Sequence, residues 1–134
     1  MGAFEVLEHT ADVGVAATGT TVEEVFEQAM LGLADIMGVR SGGPAEHVQV
    51  QLSGSDMPAL LVDWLSEFLW LHESREAALA WVRVEDVTDN HVVGRVGLTP
   101  LTEATGIQVK AITYHQLMVA EDETGWRATV FFDV

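Results

Sequence analysis

The sequence predicts an α+β fold: a two-layer sandwich with a mixed, largely antiparallel sheet and two helices packed on one side. Three observations predict it. Two stretches carry apolar residues at three- and four-residue spacing, which is helical periodicity. The rest of the chain alternates apolar and polar residues in short runs, which is strand periodicity. Turn-forming pairs in the second half separate those runs into hairpins rather than βαβ crossovers.

The elements follow in order. Phe4 and Val6 mark a first strand near 3–8, and Val13, Val15 and Ala17 a second near 13–18. The two pair across His9-Thr10-Ala11-Asp12, and Gly19 ends the second. Thr21-Val22-Glu23-Glu24 is a capping box, with Thr21 as N-cap and Glu24 at the third helical position. The helix it opens runs to about Met37, with Val22, Phe26, Ala29, Met30, Leu33 and Met37 on one face and Gly38 as its stop. Ser-Gly-Gly-Pro-Ala-Glu at 41–46 is a loop. Val48, Val50 and Leu52 alternate with polar residues as a half-buried strand. Ser55 is the expected cap of a second helix from about Asp56 to Glu73, buried through Leu60, Leu61, Trp64, Leu65, Phe68, Leu69 and Leu71. Strands then follow at roughly 78–86, 91–97, 107–119 and 126–133, with turns at Asp89-Asn90 and at 121–125.

With 134 residues the chain fits a single domain over 1–134. Apolar residues make up 49 %, enough for a real core. The absence of cysteine rules out disulfides, thiolate metal sites and a cysteine nucleophile. No apolar run approaches the roughly 20 residues that span a bilayer, and the start lacks a secretory pattern. The expected location is the cytoplasm.

Charge narrows the partners. Six basic residues face 21 acidic ones, for a net charge of −15. Nucleic-acid binding needs a basic face to neutralise phosphates, so direct RNA or DNA binding is not expected. Cations or a basic protein surface are the matching partners.

Common catalytic motifs are missing, including a Gly-rich phosphate loop, Gly-x-Ser-x-Gly and His-Glu-x-x-His. His47 and His91 lie beside expected turns and read as solvated, and His72 lies at a helix end where a cation is favoured. Lys110 is the chain's single lysine and lies in an expected strand. It is either an edge-strand lysine that discourages aggregation or a lone cation drawn to carboxylates or to an anionic group on a partner. Asp12 by itself is a turn aspartate. Asp133 and the terminal carboxylate of Val134 are either an ordinary acidic end or two hard oxygen donors held by the apolar run Val130-Phe131-Phe132.

The stretches Phe4 to Gly14, Leu60 to Leu65, Val109-Lys110-Ala111-Ile112-Thr113-Tyr114-His115 and Phe132-Asp133-Val134 occur in the order and length of one family. The chain resembles the archeases, activators of a tRNA-splicing RNA ligase. That resemblance implies a divalent-metal site (Ca²⁺, Mg²⁺ or Mn²⁺) made by Asp12, Asp133 and Val134. It implies a partner-activating role for Lys110. His9 would orient the turn or Asp12 from outside the coordination sphere. The implied partner is the GTP- and metal-dependent ligase, whose guanylylation and repeated turnover the archease promotes. The implied protein is thus not itself an enzyme. One stretch departs: before Val109 the chain reads Gly97-Leu98-Thr99-Pro100-Leu101, without the histidine many relatives carry there. Two readings from other classes stand beside this one. One is a small-molecule enzyme using Lys110, which needs a buried, low-pKa lysine in a closed pocket. The other is a chaperone-like scaffolding module, which needs an exposed apolar patch.

Overall fold

A computed structural model describes residues 2–9 and 12–134, with the side chain of His9 outside that description. The order is β1 (Ala3–His9), β2 (Asp12–Gly19), α1 (Val22–Met37), β3 (Glu46–Ser53), α2 (Met57–Arg75), β4 (Ala77–Val87), β5 (His91–Pro100), β6 (Ala111–Ile112), β7 (Met118–Asp122) and β8 (Gly125–Asp133). The α+β class holds. The strands divide between two sheets, one of order β1-β2-β8-β6 with β7 also on β8, the other of order β3-β5-β4. Every pairing of named strands is antiparallel.

Both sheets send alternate side chains toward the same two helices, and one core cluster includes residues of both. Helix α1 packs on β2, β4, β1 and β8, and α2 on β4, β5, β6 and β3, so each helix touches both sheets. Phe26, Met30 and Leu33 of α1 and Trp64, Leu65 and Phe68 of α2 are essentially inaccessible. Trp64 could not be buried with its indole N–H unpaired, and Nε1 donates to the Phe26 carbonyl at 3.1 Å.

Thr21 caps α1 as expected, with the Glu24 amide donating to Oγ1 at 3.2 Å. Gly38 ends it in the left-handed region, at φ 66°. For α2 the cap is Asp56, not Ser55: the Ala59 amide donates to Oδ1 of Asp56 at 2.8 Å. Ser55 lies one residue too early for that third-position amide.

The expected strand over 107–119 is broken. Only Ala111–Ile112 pairs with β8 before a turn at 113–117, and Met118–Asp122 then resumes on the same edge of β8. The stretch before it has other work. The amides of Thr105, Gly106 and Ile107 donate to the carbonyls of Gly38, Met37 and Ile36 at 3.2, 3.1 and 2.9 Å. These bonds satisfy acceptors that the end of α1 leaves open. The approach is close enough that a methyl on Gly106 would collide with the Ile36 carbonyl oxygen.

The outer edge of β4 is covered as well. Leu79 exchanges backbone bonds with Val39 and Ser41 at 2.8 and 3.0 Å. Further along, the Val84 amide donates to Oε2 of Glu27 at 2.8 Å and the Val87 amide to Oε2 of Glu23 at 3.0 Å. Two α1 carboxylates thus stand where a neighbouring strand would offer carbonyls, and the edge is closed to pairing.

Candidate functional site at one end of the five-stranded sheet

Asp12 opens β2, and its Cα faces that of His9 across the β1–β2 hairpin. Thr10 and Ala11 of that turn lie outside the described residues. Strand β8 runs antiparallel beside β2, with Val13 facing Phe132. One step further out, Asp12 and Asp133 are the next residues of the two strands at the same sheet end. Both aspartates are exposed. Phe132 beside them is buried at 1 %, as is Val130, so the end of β8 is anchored.

The third segment arrives through β6. Ala111 faces Asp133 and Ile112 faces Phe132. The Lys110 amide donates to the Asp133 carbonyl at 2.7 Å. Val109 is buried at 1 %, while Lys110 beside it is exposed, so the backbone is fixed and the ammonium is presented outward. Of the residues expected to act together, Asp12, Lys110, Asp133 and Val134 are brought to one end of one sheet. The expected part for His9 lies on a side chain outside the described residues.

The donors have the chemistry of a hard-cation site. Asp12 and Asp133 offer carboxylate oxygens, and Val134 beside them offers a main-chain oxygen. The Asp133 carbonyl is already taken by Lys110, so its side chain is the oxygen source left free. Among the described residues no group of three or more His, Cys, Asp or Glu side chains is placed to hold a metal. Two side chains and one main-chain group therefore make an open, undersaturated set. Ca²⁺ takes about six to eight oxygens, and the balance would fall to water or a partner.

His115 is a neighbour that the sequence did not single out. Its ring packs edge-on against Phe131, with centroids 5.9 Å apart. Gly14 lies beside the same ring, and a methyl there would collide with Phe131. Thr113 fastens the turn from within, its hydroxyl donating to the Phe131 carbonyl at 2.9 Å. Only knowledge of which strand lies beside β8 would reveal this. His47 and His91 meet solvent as expected, and each also has a protein neighbour. His91 Nε2 sits 2.6 Å from Oδ2 of Asp86, and His47 packs on Trp81. His72 lies in the last turn of α2, with Nδ1 2.8 Å from the carbonyl of Ala77, the first residue of β4.

With the geometry in place, comparison with known proteins is decisive. The Archease protein family matches residues 4–134.

The chain belongs to the archease family.

It is 36 % identical to the archease of Methanosarcina acetivorans over 98 % of this chain and 95 % of that protein. It is 38 % identical to the archease of Thermococcus gammatolerans over 96 % of each. The solution structure of Methanobacterium thermoautotrophicum protein 1598 superposes with a TM-score of 0.79, at 30 % identity over 98 % of both chains. The crystal structure of the Thermotoga maritima archease, described as a possible chaperone, shares the fold with a TM-score of 0.68 at 24 % identity, covering 96 % of this chain and 94 % of that one. Among the described residues of this archease no helix is long and apolar enough to cross a membrane.

Proposed function

We propose that this protein is a non-catalytic activator of a cytoplasmic tRNA-splicing RNA ligase, promoting guanylylation and repeated turnover of the ligase through an acidic divalent-metal site. The observation that carries the proposal is the convergence of Asp12, Lys110 and Asp133 on one exposed sheet end. Ca²⁺, Mg²⁺ or Mn²⁺ would be held by the carboxylates of Asp12 and Asp133 with a main-chain oxygen of Val134. When bound, such an ion supplies charge neutralisation and alignment for phosphoryl transfer. The protein's own part is to present two carboxylates and one ammonium on an exposed, anchored sheet end. Lys110 would meet a phosphate or a carboxylate of the ligase, a role its exposed ammonium supports. A net charge of −15 keeps the tip from holding RNA directly and favours a cationic pocket on the partner.

An exposed Lys110 does not suit the small-molecule enzyme, which needs a desolvated lysine. The scaffolding reading needs a continuous apolar patch. The large exposed apolar residues, Val6, Trp70, Ile107, Tyr114 and Val134, are spread over separate elements.

The test is multiple-turnover ligation by the cognate ligase with and without this protein. Asp12→Ala and Asp133→Ala are expected to abolish stimulation while the far-UV circular dichroism stays unchanged. Undiminished turnover with either variant would sink the metal-site reading.

A further inference from the structure

The outer face of the three-stranded sheet carries a second arrangement, separate from the sheet end described above. His47, Gly97 and Trp81 form one row across β3, β5 and β4. A methyl on Gly97 would collide with Nε1, Cε2 and Cδ1 of Trp81. The indole therefore lies over the glycine of the central strand, where any other residue would displace it. His47 stands against the indole at 86°, with ring centroids 4.8 Å apart. An aromatic floor and one upright wall result.

Two residues along the strands, about 7 Å away, Arg83 faces Arg95 directly. These are two of the six basic residues in a chain with 21 acidic ones. Like charges directly opposite across a sheet are destabilising. Arg95 is partly compensated, since its Nε donates to Oε1 of Glu85 at 3.1 Å. That bond leaves the two terminal nitrogens of the fork available. Arg83 is exposed, and among the described residues no hydrogen bond or ion pair holds its guanidinium. His47, Trp81, Arg83 and Arg95 together line an open concavity of about 510 Å³.

We infer that this face is a binding site for a mononucleotide-type ligand, a planar ring bearing a phosphate. The ring would stack on Trp81 against His47, and the phosphate would bridge Arg83 and Arg95. Arginine forks match phosphate oxygens in pairs, and a bridging anion removes the Arg83–Arg95 repulsion. The overall negative charge does not forbid this. Charges beyond about 10 Å are largely screened at 0.1 M salt, so the local set decides: two guanidinium groups against the Glu85 carboxylate on Arg95. The spacing of the two rows suits a ligand carrying ring and anion at opposite ends, rather than a bare oxyanion.

The probe is AMP, titrated into the intact protein while the Trp81 indole N–H signal is followed by NMR, assigned by its loss in Trp81→Phe. A saturable shift is expected. Adenosine and inorganic phosphate, each holding half of the ligand, are expected to bind at least about tenfold more weakly. Arg83→Gln should weaken AMP binding by about tenfold and Arg83→Glu further. Both changes are at an exposed side chain, and retained indole signals of the other tryptophans report the fold. An unmoved Trp81 signal, or Arg83→Glu binding AMP as tightly as the parent, overturns the site. Inorganic phosphate binding as tightly as AMP overturns the planar-ring specificity. An oligoglutamate peptide that binds at Trp81 more tightly than AMP replaces the nucleotide with an acidic protein segment.

Discussion

The main chain of Lys110 is bonded to that of Asp133, amide to carbonyl, at 2.7 Å. The single lysine and the penultimate residue are thereby fixed relative to each other before either side chain is considered. Position and chemistry can then be separated by substitution. Lys110→Ala keeps the amide and should leave stability within about 0.5 kcal/mol, as surface changes do. It should nevertheless abolish stimulation of the ligase. Lys110→Pro removes the donor and should cost about 1–3 kcal/mol in chemical denaturation. Equal stability of the two variants would show that the bond does not hold the site together.

Calcium binding should follow the carboxylates. Asp133→Asn and Asp12→Asn are each expected to weaken Ca²⁺ binding, read by calorimetry, by at least about tenfold, the loss seen when a mere outer-sphere partner of a metal is removed. Deletion of Val134 should weaken binding as well. Unaltered affinity without it would remove Val134 from the ligand set.

Gly106 and Gly38 should tolerate no side chain. A methyl on Gly106 meets the Ile36 carbonyl, and Gly38 adds the left-handed φ of 66°. Gly106→Ala is expected to destabilise by about 1–3 kcal/mol, the usual cost of forced overpacking. Because this loop leads straight to Val109 and Lys110, partial loss of ligase stimulation should accompany it.

Glu27→Ala should leave the part-buried Val84 amide without its acceptor, at a cost of about 1–3 kcal/mol. Uncovering this edge of β4 should also promote self-association, measurable by light scattering. Glu27→Gln retains an acceptor oxygen and should recover most of the stability.

Acid should loosen the β7–β8 turn. The Asp122 carboxylate accepts from the Thr124 hydroxyl at 2.6 Å and its amide at 2.8 Å, and these bonds, helped by Arg127, hold its pKa below the usual 3.8. A lowered folded pKa means that the contribution is fully present above the unfolded value. It is lost as pH falls through that value toward the folded one. Asp122→Asn, which lacks the titrating charge, should therefore lose this contribution at neutral pH and flatten this part of the acid limb of the stability curve.

The local signals in this sequence were strong. Thr21 with Glu24, Gly38 and the apolar stripes of both helices depend on neighbours within one or two turns, so periodicity and capping chemistry reveal them. The hairpin ending at Asp12 and the buried run before Asp133 are local in the same way. The motif resemblance also singled out Asp12, Lys110 and Asp133, although taken one by one they read as a turn, an edge and an end. What joins them is long-range. It took the β2–β8–β6 order to set Asp12 beside Asp133 and to tie Lys110 to it. The same applies to the break in the strand expected over 107–119. Nothing near Gly106 in sequence says that its amide is needed by Met37, because the open carbonyls lie at the end of a helix some seventy positions earlier. Arg83 opposite Arg95, with Trp81 laid over Gly97, is likewise a matter of register between strands. Periodicity tells which face a residue takes, while the tertiary structure decides which residue shares that face with it.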